Sequence, residues 1–441
     1  MLRFGTDGVR GVALTELTVD YVASLGAAAA RVLGTSTWLI GRDTRESGPA
    51  LETALLTGLR SEDALVVRCG VLPTPALAHY SATHRAPAAM ITASHNPYAD
   101  NGVKIFAPGG LKLSDDVERE IETQLEAGLT AGSIAPSSVD AGVTVVDDVV
   151  EHYVGHIASL FPADALRGMT VVLDCANGAM SVAAPAAARA LGATVTVING
   201  EPNGTNINAD CGATHPAGLA RVVVAAGADA GLAFDGDGDR VIAVDELGNV
   251  VDGDRLIAMA ALQLQAEGQL TDDTVVVTVM SNLGFHRAMD AAGVHVVATA
   301  VGDRYVLEAL ATGNFAIGGE QSGHIIYRHL ATTGDGLLAG LRLLYHVRTS
   351  GRPLGSLAAA VMDTYPQVLV NVRVRERHPQ IADELAADIA AVEGELGGDG
   401  RVLLRASGTE PLVRVMVEAA TDVLARRLAE QLADVVRNRF A

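Results

Sequence analysis

The sequence predicts an α/β protein: three related α/β domains on mixed sheets, followed by a smaller C-terminal α+β domain. Three observations carry this. Short β-branched runs alternate with Ala/Leu-rich stretches of helical spacing. The same order of strands and helix occurs three times, each time ending in a loop rich in glycine and polar residues. The tail then breaks the pattern. With 441 residues, the chain is also too long for a single hydrophobic core.

In the first unit, Trp38-Leu39-Ile40 reads as a strand, 51–59 as a helix and Leu65-Val66-Val67 as the next strand. Ala88-Ala89-Met90-Ile91 is a further strand that stops just before Ser94. In the second, strands at 171–173 and 195–197 flank a helix at 182–191, and Gly231-Leu232-Ala233-Phe234 ends at Asp235. In the third, 275–277 leads to a helix over 286–291, a strand over 294–297, and Phe315-Ala316-Ile317, which ends at Gly319-Glu320. Open α/β sheets form ligand crevices at the carboxyl ends of their strands, so the three loops are expected to converge on one site. The tail reads as a strand at 370–374, a helix over 379–395, two strands at 402–404 and 413–417, and an amphipathic helix over 422–439. The expected domains are 1–155, 156–255, 256–365 and 366–441.

Composition narrows the function. The net charge of −20 repels nucleic acid and anionic membranes, so neither is expected as a partner. No stretch reaches the roughly 20 apolar residues of a membrane span. The N-terminus lacks the pattern of a secretory signal, and Cys69, Cys175 and Cys211 form no Cys-x-x-Cys pair. A reducing cytoplasm is therefore the expected location. A homodimer is compatible with the sequence, which does not itself set the oligomeric state.

Four loops carry chemistry. Thr92-Ala93-Ser94-His95-Asn96-Pro97 presents a serine at a strand end, where it can act as a nucleophile. His95 is a poor base for it, because adjacent side chains of an extended segment point apart. No Gly-x-Ser-x-Gly elbow is present, which argues against an α/β-hydrolase. In Asp235-Gly236-Asp237-Gly238-Asp239-Arg240, three carboxylates at alternate positions repel one another unless a cation sits among them, and Mg²⁺ is the expected ion. An EF-hand needs glycine where Arg240 stands, and Asp239 does not fit a haloacid-dehalogenase phosphatase. Glu320-Gln321-Ser322-Gly323-His324 offers donors and acceptors suited to sugar hydroxyls. Arg405-Ala406-Ser407-Gly408-Thr409-Glu410-Pro411, with Arg414, resembles an anion cradle of guanidiniums, hydroxyls and backbone amides. Arg10, Arg42, Arg45, Lys104 and Arg304, each taken alone, read as ordinary surface charges.

Together and in this order, the four loops resemble those of the α-D-phosphohexomutase superfamily, over nearly the whole chain. Phe4-Gly5-Thr6-Asp7-Gly8-Val9-Arg10-Gly11, Ala93-Ser94-His95-Asn96 and Gly319-Glu320-Gln321-Ser322 resemble its bacterial phosphoglucosamine mutase branch. Ala406 departs from the proline usual there, which should loosen the loop without removing a phosphate donor.

The resemblance implies four domains around a central cleft, the last a smaller lid. It implies an isomerase that converts glucosamine 6-phosphate to glucosamine 1-phosphate for cell-wall precursors, by way of phosphoserine at Ser94. A sugar 1,6-bisphosphate would be the intermediate and activator. Asp235, Asp237 and Asp239 would hold Mg²⁺ with a phosphoserine oxygen of residue 94. Arg10 and Arg240 would join the catalytic group, and Lys104 would relieve charge or accept the attacking hydroxyl's proton. Glu320, Ser322 and His324 would bind the sugar, and Arg405, Ser407, Gly408, Thr409 and Arg414 its non-reacting phosphate. The alternatives are a phosphomannomutase or phosphoglucomutase of the same fold, a metal-dependent phosphatase, and a non-catalytic phosphosugar sensor.

Overall fold

The structure is a computed structural model, which describes residues 2–5, 7–34, 37–131, 142–407 and 411–441. The chain forms two compact units, one from Met1–Met280 with Val294–Ala359, the other from Ser281–Gly293 with Ala360–Ala441.

The larger unit contains three mixed sheets with a repeated topology. In the first, Thr37–Arg42 lies between Leu65–Val71 and Ala88–Ile91, parallel to both, and Asp100–Ala107 returns antiparallel to Ala88–Ile91. In the second, Thr170–Asp174 lies between Thr194–Ile198 and Ala230–Phe234, and Val241–Asp245 returns antiparallel. In the third, Thr274–Thr278 lies between His295–Thr299 and Ile317–Gly319, and Ile325–Tyr327 returns. The connection from the last parallel strand to the returning strand carries Ser94 in the first sheet. It carries residues 235–240 in the second and 320–324 in the third. All three chemical loops thus occupy one topological position.

Local chemistry explains these elements. Ala88–Ile91 and Ala230–Phe234 are buried along their whole length, which suits central strands covered on both faces. Helix Val19–Leu33 starts at Thr18, whose hydroxyl accepts from the Tyr21 amide, and stops at Gly34 in the left-handed region. It packs closely on helix Gly48–Ser61: a Cβ at Gly58 would lie 1.8 Å from the Ala23 carbonyl. Phe315, expected to open a strand, instead returns its amide to Leu310 O after left-handed Asn314, so the strand begins at Ile317.

In the smaller unit, a three-stranded antiparallel sheet runs Gln367–Arg373, Leu412–Ala419, Gly400–Ala406, and helix Asp422–Phe440 packs on it. The expected 379–395 helix is two pieces, Ile381–Glu384 and Ala386–Leu396. Leu385 between them leaves helical geometry (φ −114°) and is fully buried in the core. Helix Leu283–Ala291, expected in the third repeat, belongs to this unit instead. Buried Glu418 accepts from the Leu283 amide (3.0 Å), and the Asn282 amide donates to Tyr365 O (2.9 Å).

Candidate active site

Ser94 follows the Ala88–Ile91 strand with φ of +53° and is fully buried. Its amide donates to Thr92 Oγ1 (2.9 Å), and its hydroxyl donates to Asp235 Oδ2 (2.6 Å). The left-handed backbone overturns the argument made for an extended segment: His95 Nδ1 lies 3.3 Å from Ser94 Oγ. Burial, Arg240 and Arg10 push the His95 imidazole down to about 4, so the ring is neutral near pH 7.

Asp235, Asp237 and Asp239 are all buried, and each offers a carboxylate oxygen within 4.8 Å of the others. Burial, with Asp239 and Asp237 as neighbours, pushes the Asp235 carboxyl up to about 8. Burial would raise Asp239 too, but Lys104 and His324 hold it well below the usual carboxylate range. Lys104 Nζ lies 2.8 Å from Asp237 and from Asp239, and 3.1 Å from Asp7. Thr74, opening the Thr74–His84 helix, donates to Asp237 Oδ2 at 2.6 Å. Asp237 Oδ1 and Asp239 Oδ1 are buried without a hydrogen-bond donor among the described residues. Orphaned anionic oxygens in a hard-donor cluster fit a metal ion.

The basic groups expected around Ser94 gather here. Arg10 pairs with Asp7, and burial lowers its guanidinium against the pull of Asp237. The Arg240 amide donates to Asp235 Oδ1 (3.2 Å), and its Nε stands 3.9 Å from Asp239 Oδ1. Lys104 is held protonated: burial lowers its ammonium, but Asp237 and Asp239 more than offset this.

The 320–324 loop reaches the same cluster. His324 is buried, with Nδ1 3.6 Å from Asp239 Oδ1 and Nε2 3.6 Å from Asp303 Oδ2. Glu320 Oε1 accepts from the Gly302 amide (3.1 Å), and Ser322 Oγ stands 3.5 Å from Glu320 Oε2. Asp303 pairs with Lys112, which lines a cavity of about 520 Å³ with Arg304 and Tyr305. That cavity is lined neither by Ser94 nor by Asp235, Asp237 or Asp239.

In the smaller unit, Arg405 and Arg414 are directly opposed across two paired strands, and Ala406 faces Val413. The Ser407 amide donates to Leu412 O (2.7 Å). Gly408 and Thr409, expected beside them, lie outside the described residues, as does Glu410.

Sequence reasoning missed several groups. Arg45 is not a surface charge: it is 1% exposed and bonded to the Ser94 turn. Arg304 is only partly exposed, pairing with Asp115 and Glu118. Thr74 and Asn208 carried no signal in the sequence. For Arg45, its place two residues after Asp43 at a strand end, on the edge that presents Ser94, was the available cue.

The chain matches the phosphoglucomutase/phosphomannomutase alpha/beta/alpha domain I over residues 1–131, domain II over 151–248 and domain III over 252–365. It matches the C-terminal domain of the same family over 369–435. It is 52% identical over 441 residues to the phosphoglucosamine mutase of Rhodococcus opacus (strain B4), covering 98% of each chain. Among solved structures, it resembles a putative phosphomannomutase from Thermus thermophilus with a TM-score of 0.80 and 25% identity, covering 99% of each chain. It also shares the fold of the Aspergillus fumigatus N-acetylphosphoglucosamine mutase solved with GlcNAc-6P and magnesium. There the TM-score is 0.71 at 21% identity, covering 99% of this chain and 96% of that one.

Proposed function

The chain belongs to the phosphoglucomutase/phosphomannomutase family, and from that premise we propose that it interconverts glucosamine 6-phosphate and glucosamine 1-phosphate through phosphorylated Ser94. The observation that carries the chemistry is the Ser94 hydroxyl set against three buried aspartates. Full-length relatedness to a phosphoglucosamine mutase supports the sugar. The proposed domains are 1–155, 156–255, 256–365 and 366–441, with helix Leu283–Ala291 of the third packed together with the fourth.

Mg²⁺ is the proposed ion, held by Asp235, Asp237, Asp239 and a phosphoserine oxygen of residue 94. All-oxygen donors favour a hard divalent cation. When bound, the ion supplies charge neutralisation at the phosphoryl oxygens.

The anomeric hydroxyl of glucosamine 6-phosphate attacks the phosphorus of phosphoserine 94. The new P–O1 bond forms as the P–Oγ bond breaks and the O1 proton passes to Oγ, giving glucosamine 1,6-bisphosphate and free Ser94. The bisphosphate then turns end for end. Ser94 Oγ takes the phosphoryl group from O6, and glucosamine 1-phosphate leaves. The protein's work is alignment and charge stabilisation. Arg10 and Arg240 face the moving group, and the Lys104 ammonium balances the aspartates. Glu320, Ser322 and His324 orient sugar hydroxyls. Arg405, Ser407, Gly408, Thr409 and Arg414 hold the phosphate that is not reacting. A cytoplasmic location agrees with three free, buried cysteines, and no described helix is long and apolar enough to cross a membrane.

The test is kcat/KM with glucosamine, mannose and glucose 6-phosphates, each with Mg²⁺ and a catalytic 1,6-bisphosphate. The proposal expects glucosamine 6-phosphate to lead by at least about tenfold, the discrimination available to a site that bonds the substituent it selects. A lead for mannose or glucose would replace the substrate, and release of inorganic phosphate alone would remove the mutase.

A further inference from the structure

Two side chains that reach the Ser94 turn from different repeats donate to the same two carbonyls. Arg45 gives Nη2 to Ser94 O (3.0 Å) and Asn96 O (2.8 Å), and Nη1 to Asp100 O (2.9 Å) and to Pro97 O. Asn208, from the second repeat, gives Nδ2 to Ser94 O (2.8 Å) and Asn96 O (3.0 Å). Arg45 is balanced by Asp43 at 2.9 Å, and both side chains are wholly buried. Asp43 Oδ2 also accepts from Thr92 Oγ1 (2.7 Å), the same hydroxyl oxygen that accepts the Ser94 amide.

The aspartate loop closes the arrangement. A Cβ on Gly236 would lie 2.6 Å from Ser94 O and 2.9 Å from Asn208 Nδ2, so only glycine lets this loop pass. The loop after Thr37–Arg42 is tied to the second repeat as well, by Thr44 Oγ1 to Asn177 O (2.7 Å) and the Glu46 amide to Gly204 O (2.9 Å).

Ser94 holds a left-handed backbone that a non-glycine residue leaves readily unless its surroundings fix it. Its carbonyl has two lone pairs, and Arg45 and Asn208 occupy both. The Asn208 main chain is already engaged, its amide bonded to Ala176 O (2.9 Å), so its side chain serves the Ser94 turn rather than its own loop.

We propose that Asn208, acting with Arg45, is a positioning residue for phosphoryl transfer: it fixes the Ser94 carbonyl, and through it the nucleophile's Oγ, in register with the Asp235–Asp239 loop. The reaction needs that register twice, once for each orientation of the bisphosphate. The inference rests on the reading of Ser94 as phosphoryl carrier.

Asn208→Gly tests it, because glycine keeps the left-handed backbone at this position (φ +57°) while removing the amide. The expected result is a kcat lower by about 10²-fold with KM within about threefold, as for a misplacement of about 1 Å. Asn208→Asp, of the same shape without the N–H donors, gives the same split. Arg45→Lys, which keeps the charge on Asp43 but loses the planar fork, lowers kcat likewise. In the free protein, hydrogen exchange in the peptide spanning 92–101 speeds up in Asn208→Gly by at least about tenfold, as for a turn that opens locally. Asn208→Gly with parental kcat, a loss carried equally by kcat and KM, or unchanged exchange overturns the proposal. A parent protein without mutase activity removes the reading of Ser94 instead, and the exchange measurement still decides whether Asn208 holds the turn.

Discussion

Ser94 and Asp235 lie 141 positions apart in sequence, yet the serine hydroxyl donates to Asp235 Oδ2 at 2.6 Å. They come from equivalent turns of two sheets with the same strand order, and both are buried. A serine hydroxyl and a carboxylate of the aspartate cluster are thus brought together by repetition of one topology rather than by a local motif. The consequences can be tested one at a time.

The aspartate cluster predicts metal-linked stability. Lys104 is the close ammonium of only two of the three carboxylates, Asp237 and Asp239, and one oxygen of each lacks a donor among the described residues. Scanning calorimetry of the parent should show a midpoint that rises with Mg²⁺, by about 2.7 kcal/mol of stability at a hundred times the dissociation constant. Asp237→Asn should lose most of that rise, and a chelator should stop turnover. A parent midpoint indifferent to divalent ions contradicts the assignment.

Arg405 and Arg414 predict a trade between stability and binding. Like charges directly opposite on paired strands destabilise by about 0.2–1 kcal/mol until an anion lies between them. Burial and then Arg414 lower the Arg405 guanidinium. Arg414→Ala should leave the free protein as stable as the parent or slightly more so, while raising KM about 10–100-fold, the worth of one or two charge-assisted hydrogen bonds. Unchanged KM would take the phosphate grip away from these strands.

His79 predicts acid sensitivity outside the site. Its ring stacks on His156 at 4.0 Å, and burial, His156 and His152 push it down to about 4. The folded pKa is depressed from 6.5, so the unfolded chain binds the extra proton. The stabilisation is therefore complete above about pH 6.5 and is lost progressively as pH falls towards about 4. His79→Phe, which keeps a ring against His156, should flatten the midpoint-versus-pH curve across that window. Parallel curves would show that the pair does not titrate there.

Much of this site was legible because its chemistry is local in sequence. The serine turn, the Asp-x-Asp-x-Asp loop and the Glu-x-Ser-x-His loop each hold their groups within a few residues, directly after strands that periodicity reveals. What escaped depends on tertiary meetings. Arg45 looked like a surface charge because nothing nearby in sequence shows four carbonyls folded around it. Thr74 opens a helix, yet its hydroxyl serves Asp237, a partner 163 positions away. The argument against His95 failed because it assumed extended backbone, and Ser94 is left-handed. Helix Leu283–Ala291 follows the third repeat's first strand, but buried Glu418 draws it to the smaller unit.

The central claim is that Ser94 carries the phosphoryl group. The most direct measurement is ³¹P NMR of Ser94-phosphorylated protein mixed with Mg²⁺ and glucosamine 6-phosphate, with Ser94→Ala as control. The account predicts that the phosphoserine resonance falls as glucosamine 1,6-bisphosphate appears, followed by glucosamine 1-phosphate, without inorganic phosphate. Ser94→Ala should show no turnover. Conversion that persists in Ser94→Ala, or a phosphoserine that yields only inorganic phosphate, would contradict it.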